Sequence, residues 1–123
     1  MARYLSPDWL AELDRLVRDL TSDEDVILQQ HIDGHEGGGV SYYVTIGAEG
    51  GSAKPGAAES PTVAFEQDYE TAAAVAQGQL SAEEAFLLGR IRLSGDPSAL
   101  IPVRRPLAEL DAVLIALRER TTY

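Results

Sequence analysis

The sequence predicts an α+β domain: an antiparallel sheet with helices covering one face. Three observations carry this reading. Apolar residues recur at helical spacing near both ends of the chain. Between those ends, several stretches alternate apolar and polar with a period of two. Glycine-bearing loops join consecutive alternating stretches, as in hairpins. The 123 residues are enough for one domain with its own core and fit two only with difficulty, so residues 1–123 are read as a single domain.

Ser6-Pro7 opens the first helix, a hydroxyl cap followed by a residue that has no amide to satisfy. Trp9, Leu10, Leu13, Leu16, Val17 and Leu20 form its apolar stripe. Asp25 to Asp33 then reads as a strand, with Val26, Leu28 and Ile32 on one face and Gln29, His31 and Asp33 on the other. After the link Gly34 to Gly39, Val40 to Ile46 alternates in the same way. Gly47 to Ser60, rich in Gly, Ala and Ser, is the most flexible stretch, either a mobile flap or a tolerated insertion. Thr62 to Glu66 is a short strand. Asp68 caps a helix running to about Ala76 and ended by Gly78; Ser81 with Glu84 forms a capping box for another, closed by Gly89. Arg90 to Ser94 is the fourth clear strand. Gly95-Asp96-Pro97 turns the chain, and Pro106 starts a last helix with the stripe Leu107, Leu110, Val113, Leu114 and Leu117.

Twenty acidic residues against ten basic give a net charge of −10. That balance argues against nucleic acid, whose binding depends on neutralising phosphates with Lys and Arg, and against stable attachment to anionic membrane. No cysteine is present, which removes disulfides, thiolate nucleophiles and cysteine-held metals. No apolar run approaches the roughly 20 residues of a membrane span, and Met1 to Ser6 does not resemble a secretory signal. A cytoplasmic location is expected.

Catalytic and metal signals are weak. His31, Asp33, His35 and Glu36 offer zinc-type ligands, but side chains four apart on a strand meet only if the turn folds back, so a polar strand face is the preferred reading. Gly37-Gly38-Gly39 leads into a strand rather than a helix, and Lys54 is followed by Pro55 where a phosphate loop needs Ser or Thr. The acids of Asp23-Glu24-Asp25, Glu83-Glu84, and Asp68 with Glu70 sit at helix starts, where capping explains them. Ser6, Ser81 and Ser98 are cap candidates. An enzyme is not expected. Arg90, Arg92, Arg104 and Arg105 either pair with local acids or form a patch for lipid headgroups or an acidic ligand.

Asp68-Tyr69-Glu70-Thr71, Gly78-Gln79-Leu80 and Ser81-Ala82-Glu83-Glu84-Ala85-Phe86-Leu87-Leu88-Gly89-Arg90-Ile91-Arg92-Leu93-Ser94-Gly95-Asp96 together resemble the sterol carrier protein family, type two. The likeness is specific over Thr62 to Asp96 and looser elsewhere. It extends in particular to compact stand-alone actinobacterial members, which often end in a similar Thr-Thr-Tyr. Pro97, Pro102 and Pro106 depart from it, standing where many members continue a helix. The resemblance implies a five-stranded, mostly antiparallel sheet whose helices enclose an apolar tunnel for a fatty-acyl chain, a sterol or a similar lipid. It implies no catalytic residue and no cofactor. The fifth strand is sought within Gly47 to Ala57 or just after Asp96. Candidates for the ligand wall are Val75, Phe86, Leu87, Ile91, Leu93, Val113, Leu114 and Leu117. The alternative is a dimerisation or protein-interaction module with a filled core, in which Leu10, Leu13 and Val17 or the last helix's stripe face another subunit. The alanine-rich helix from Tyr69 to Gln77 either packs closely on the sheet or leaves volume for a ligand.

Overall fold

The computed structural model describes residues 2–35 and 38–123. A two-residue strand β1 (Ala2–Arg3) precedes α1 (Pro7–Val17). Strands β2 (Val26–His35), β3 (Gly38–Gly47), β4 (Gly50–Pro55) and β5 (Val63–Asp68) follow, then α2 (Tyr69–Ala76), α3 (Ala82–Leu87) and β6 (Ile91–Gly95). A 3-10 turn over Pro97–Val103 runs directly into α4 (Arg104–Arg118), and β7 (Thr121–Thr122) closes the chain. The main sheet has the order β4-β3-β2-β5-β6. Only the β2–β5 pair is parallel; the other three pairs are antiparallel. β1 and β7 form a separate parallel pair that joins the two ends of the chain.

Alternation sets the two faces of the sheet. Val26, Leu28, Gln30 and Ile32 of β2 stand in register with Ile46, Val44, Tyr42 and Val40 of β3, and Val63, Phe65 and Gln67 of β5 continue the same face toward Leu93 and Ile91. Against this inner face α1 presses Trp9, Leu13 and Val17, all buried, and α4 adds Leu110 and Leu117 to the same core. Burying each such side chain contributes about 1.5–3 kcal/mol. α2 is the thin helix of the sequence, and it packs closely: Thr71, Ala72 and Ala73 are all buried. α3 buries Ala85 alone.

The caps follow the sequence. Ser6, Asp68 and Ser81 accept hydrogen bonds from the backbone N–H groups of Trp9, Thr71 and Glu84. Gly78 and Gly89 take positive φ at the ends of α2 and α3, and Gln79 N–H and Arg90 N–H reach back to the carbonyls of Ala74 and Ala85. Ser98 is not a cap; Asp96 is, and it accepts both the Ser98 amide and the Ser98 hydroxyl. α4 begins at Arg104 rather than Pro106, because the 3-10 turn already delivers helical backbone and a proline in the first turn loses no hydrogen bond.

The largest departure from expectation lies between Gly47 and Ser60. This stretch supplies the fifth strand, edge strand β4, followed by a crossover to β5. Its small residues serve close approach as well as turning. A Cβ on Gly51 would lie 2.5 Å from the Val17 carbonyl oxygen, so only glycine lets the end of α1 settle on the edge strand. The crossover runs over the outer face and is held there by Gln29, whose side chain is buried, not part of a solvated strand face. Its amide donates to the carbonyls of Tyr42 and Gly56 and accepts from Ala58 N–H.

Candidate functional site

The helical layer covers the inner sheet face unevenly. Where the amino-terminal half of α1 stands over β3 and β4, a pocket of about 410 Å³ remains, within the range of about 300–1,000 Å³ usual for small-molecule sites. Leu5, Trp9, Leu10, Val40, Tyr42 and Pro55 form most of its apolar wall, with Pro7 and Ala11 at an exposed rim. Leu5 is held at a φ of 64° between β1 and α1, a left-handed backbone that costs a bulky residue free energy. Asp14 marks one side; its carboxylate accepts the Ala53 N–H at 2.8 Å and so ties α1 to the edge strand. Lys54 also borders the pocket, but alternation along β4 sends its side chain toward the outer face with Ser52, while Gly51, Ala53 and Pro55 face α1.

Next to this pocket the inner face changes character. Gln30 pairs in register with Tyr42 on one side and with Phe65 on the other, and Phe65 pairs with Leu93. Gln30, Phe65, Gln67 and Leu93 all remain half-buried on a face the helices otherwise cover. Gln67 Nε2 donates to Gln30 Oε1 at 2.8 Å. Tyr42 is 8% exposed, and its burial holds the phenol pKa well above the ordinary range, so it stays protonated and neutral.

The eight residues proposed from sequence fall into three settings. Ile91 and Leu93 lie on the inner sheet face, as alternation required. Val75, Val113 and Leu114 are half-buried, the last two packed against the core, and Leu117 is wholly buried. Phe86 and Leu87 stand at the surface, 50% and 75% exposed, beside the exposed Leu88. None of the eight borders the pocket under α1. Sequence reasoning placed Trp9 and Leu10 on the apolar stripe of the first helix and Pro55 in the flexible stretch where a fifth strand was sought; the small residues at inner positions of β4 were the available signal that a helix lies close there.

The remaining candidates resolve simply. His31 Nδ1 lies 2.9 Å from Ser41 Oγ across the outer face. Among the described residues no group of three His, Asp or Glu could hold a metal; Glu36 and the side chain of His35 lie outside the description. Arg90 donates to the Thr71 hydroxyl, Arg92 stands in register with Glu66, and Arg105 pairs with Glu109. Of the α1 residues named for a subunit contact, Leu13 and Val17 are fully buried within the chain and Leu10 is half-buried beside the pocket. Among the described residues no helix is long and apolar enough to cross a membrane.

Comparison with known proteins fits this architecture. The family model of the SCP-2 sterol transfer family matches residues 12–107. The chain belongs to the SCP-2 family. Its α+β fold, a five-stranded, mostly antiparallel sheet under helices, recurs in solved structures. A conserved hypothetical protein from Thermus thermophilus superposes with a TM-score of 0.69 at 22% identity, covering 100% of this chain and 93% of its own. A crystal structure of sterol carrier protein 2 gives 0.68 at 21% identity, covering 92% and 98%. The palmitated SCP2L2 of Aedes aegypti gives 0.53 at 23% identity, covering 68% and 70%. No curated protein matches the chain closely enough to carry a function across.

Proposed function

We propose that this chain is a one-domain carrier that binds an apolar ligand, such as a fatty-acyl chain or a sterol, and does no chemistry on it. The observation that supports this most is the pocket under α1: apolar walls, a volume suited to a small molecule, and a position on the inner face of an SCP-2 sheet. Palmitate on the Aedes aegypti relative is in keeping with an acyl ligand. Each methylene moved from water into such a site contributes about 0.8 kcal/mol. Association and ordering oppose this by several kcal/mol, so a long chain reaches about micromolar affinity. Ile91, Leu93, Val75, Val113 and Leu114 are proposed as the wall at the β6 side of the same layer, with Leu117 behind them and Phe86 and Leu87 at the rim. The carrier is proposed to work in the cytoplasm, without nucleic acid and without stable insertion in a membrane.

Native mass spectrometry of the purified protein, with organic extraction of what it carries, tests the proposal. The expected result is a one-to-one lipid adduct, either retained from the cell or formed on adding a long-chain acyl compound. A protein that stays ligand-free in both conditions contradicts it.

A further inference from the structure

Three uncharged polar side chains interrupt the otherwise apolar inner face, and they are neighbours. Tyr42, Gln30 and Gln67 sit on adjacent strands β3, β2 and β5, linked by the Tyr42–Gln30 register pair and the Gln67-to-Gln30 hydrogen bond. Cross-strand neighbours of this kind have Cβ atoms about 4.5–5.5 Å apart when directly opposite. Their hydrogen-bonding capacity is not used up. Gln30 Oε1 is occupied by Gln67, but among the described residues nothing pairs with the Gln30 amide N–H groups, the Gln67 carbonyl or the Tyr42 hydroxyl. No side-chain nitrogen or oxygen among the described residues is both sealed from open space and without a partner. The Tyr42 hydroxyl, in a residue only 8% exposed, therefore still borders open space, and Tyr42 also walls the pocket under α1. A ligand that covers these groups must satisfy them, because buried polar groups left without partners are costly, so this cluster selects a group that both donates and accepts.

Resting on the carrier reading above, we infer that Tyr42, Gln30 and Gln67 bind the polar end of the ligand and that this end is a neutral hydroxyl. A hydroxyl donates once and accepts twice, which matches in number the one free acceptor, the Gln67 side-chain carbonyl, and the two donor groups, the Gln30 amide and the Tyr42 phenol. A carboxylate fits poorly. It only accepts, it would face the Gln67 carbonyl oxygen, and no Lys or Arg occupies the inner-face positions of these strands. Placing an ion in such surroundings without a counter-charge is strongly disfavoured.

The test compares a long-chain 1-alkanol with the carboxylic acid of the same chain length. Each competes with a fluorescent alkyl probe at about pH 8, where the acid is ionised. The alkanol is expected to bind at least tenfold more tightly. Tyr42→Phe, and the double change Gln30→Leu with Gln67→Leu, are expected to reduce that preference to less than threefold, mainly by weakening the alkanol. Circular dichroism and thermal melts identify variants that keep the fold, and Tyr42→Phe, which removes a single unpaired hydroxyl, is the milder of the two. Equal binding of alkanol and acid by the unaltered protein overturns the head-group assignment and leaves the carrier reading intact. So does a preference that survives in a folded variant. Failure of alkanol, acid and probe alike overturns the carrier reading, and the assignment with it.

Discussion

Gln29 and Gln30 are chemically identical neighbours with opposite fates, and alternation along β2 decides between them. Gln29 points to the outer face and is consumed by backbone partners of the crossover; Gln30 points under the helices and keeps free capacity. The period-two pattern made the split of faces legible in the sequence. It could not show that a long glycine-rich segment would return across the outer face and bury Gln29, because that depends on contacts distant in the chain. Asp68 is a residue whose role could be read directly. Its carboxyl is held below the ordinary range, first by the Thr71 backbone N–H, then by the Thr71 hydroxyl. A depressed folded-state pKa means that the stabilisation is present above the unfolded-state value of about 3.9 and is lost as pH falls through the folded value. Replacing Asp68→Asn keeps a capping acceptor and removes this titration. Denaturant melts across acidic pH should show a shallower loss of stability below about pH 4 in the variant than in the unaltered chain.

Among the elements, those with a side-chain cap at their start came through from sequence nearly unchanged: α1, α2 and α3 each follow a residue whose side chain satisfies one of the first free amides. Their signals are local, so a single sequence carries them. β4 lies in one of the two places where a fifth strand was sought, but its bounds were not legible, because glycine, alanine and proline have low strand propensity and read as a flexible loop. They are there because a helix lies against them. Gly51 tests this. Changing Gly51→Ala forces a Cβ into the Val17 carbonyl, a backbone atom that cannot swing aside. The expected cost is about 1–3 kcal/mol, read as a lower thermal midpoint, whereas Gly56→Ala puts its Cβ in open space and meets only backbone strain at a φ of 96°. If Gly51→Ala is no more destabilising than Gly56→Ala, α1 does not sit this close to the edge strand.

For the molecule as a whole, the family and the sheet were legible because the stretch from Thr62 to Asp96 packs cap, break and strand signals into a fixed order. The position of the open pocket was not. An apolar stripe at helical spacing looks the same whether its partner surface is fully filled or leaves a gap, and the difference here arises where Leu5, Trp9 and Leu10 meet the narrow inner side of β4. Trp9 offers the direct measurement. It is the sole tryptophan, is 3% exposed and walls the pocket, so the protein's tryptophan emission comes from the edge of that space. Titration with a long acyl chain bearing a heavy-atom quencher should quench Trp9 in a saturable one-to-one manner, at about micromolar concentration. Emission that stays unchanged up to the solubility limit of the chain would contradict a ligand site beneath α1.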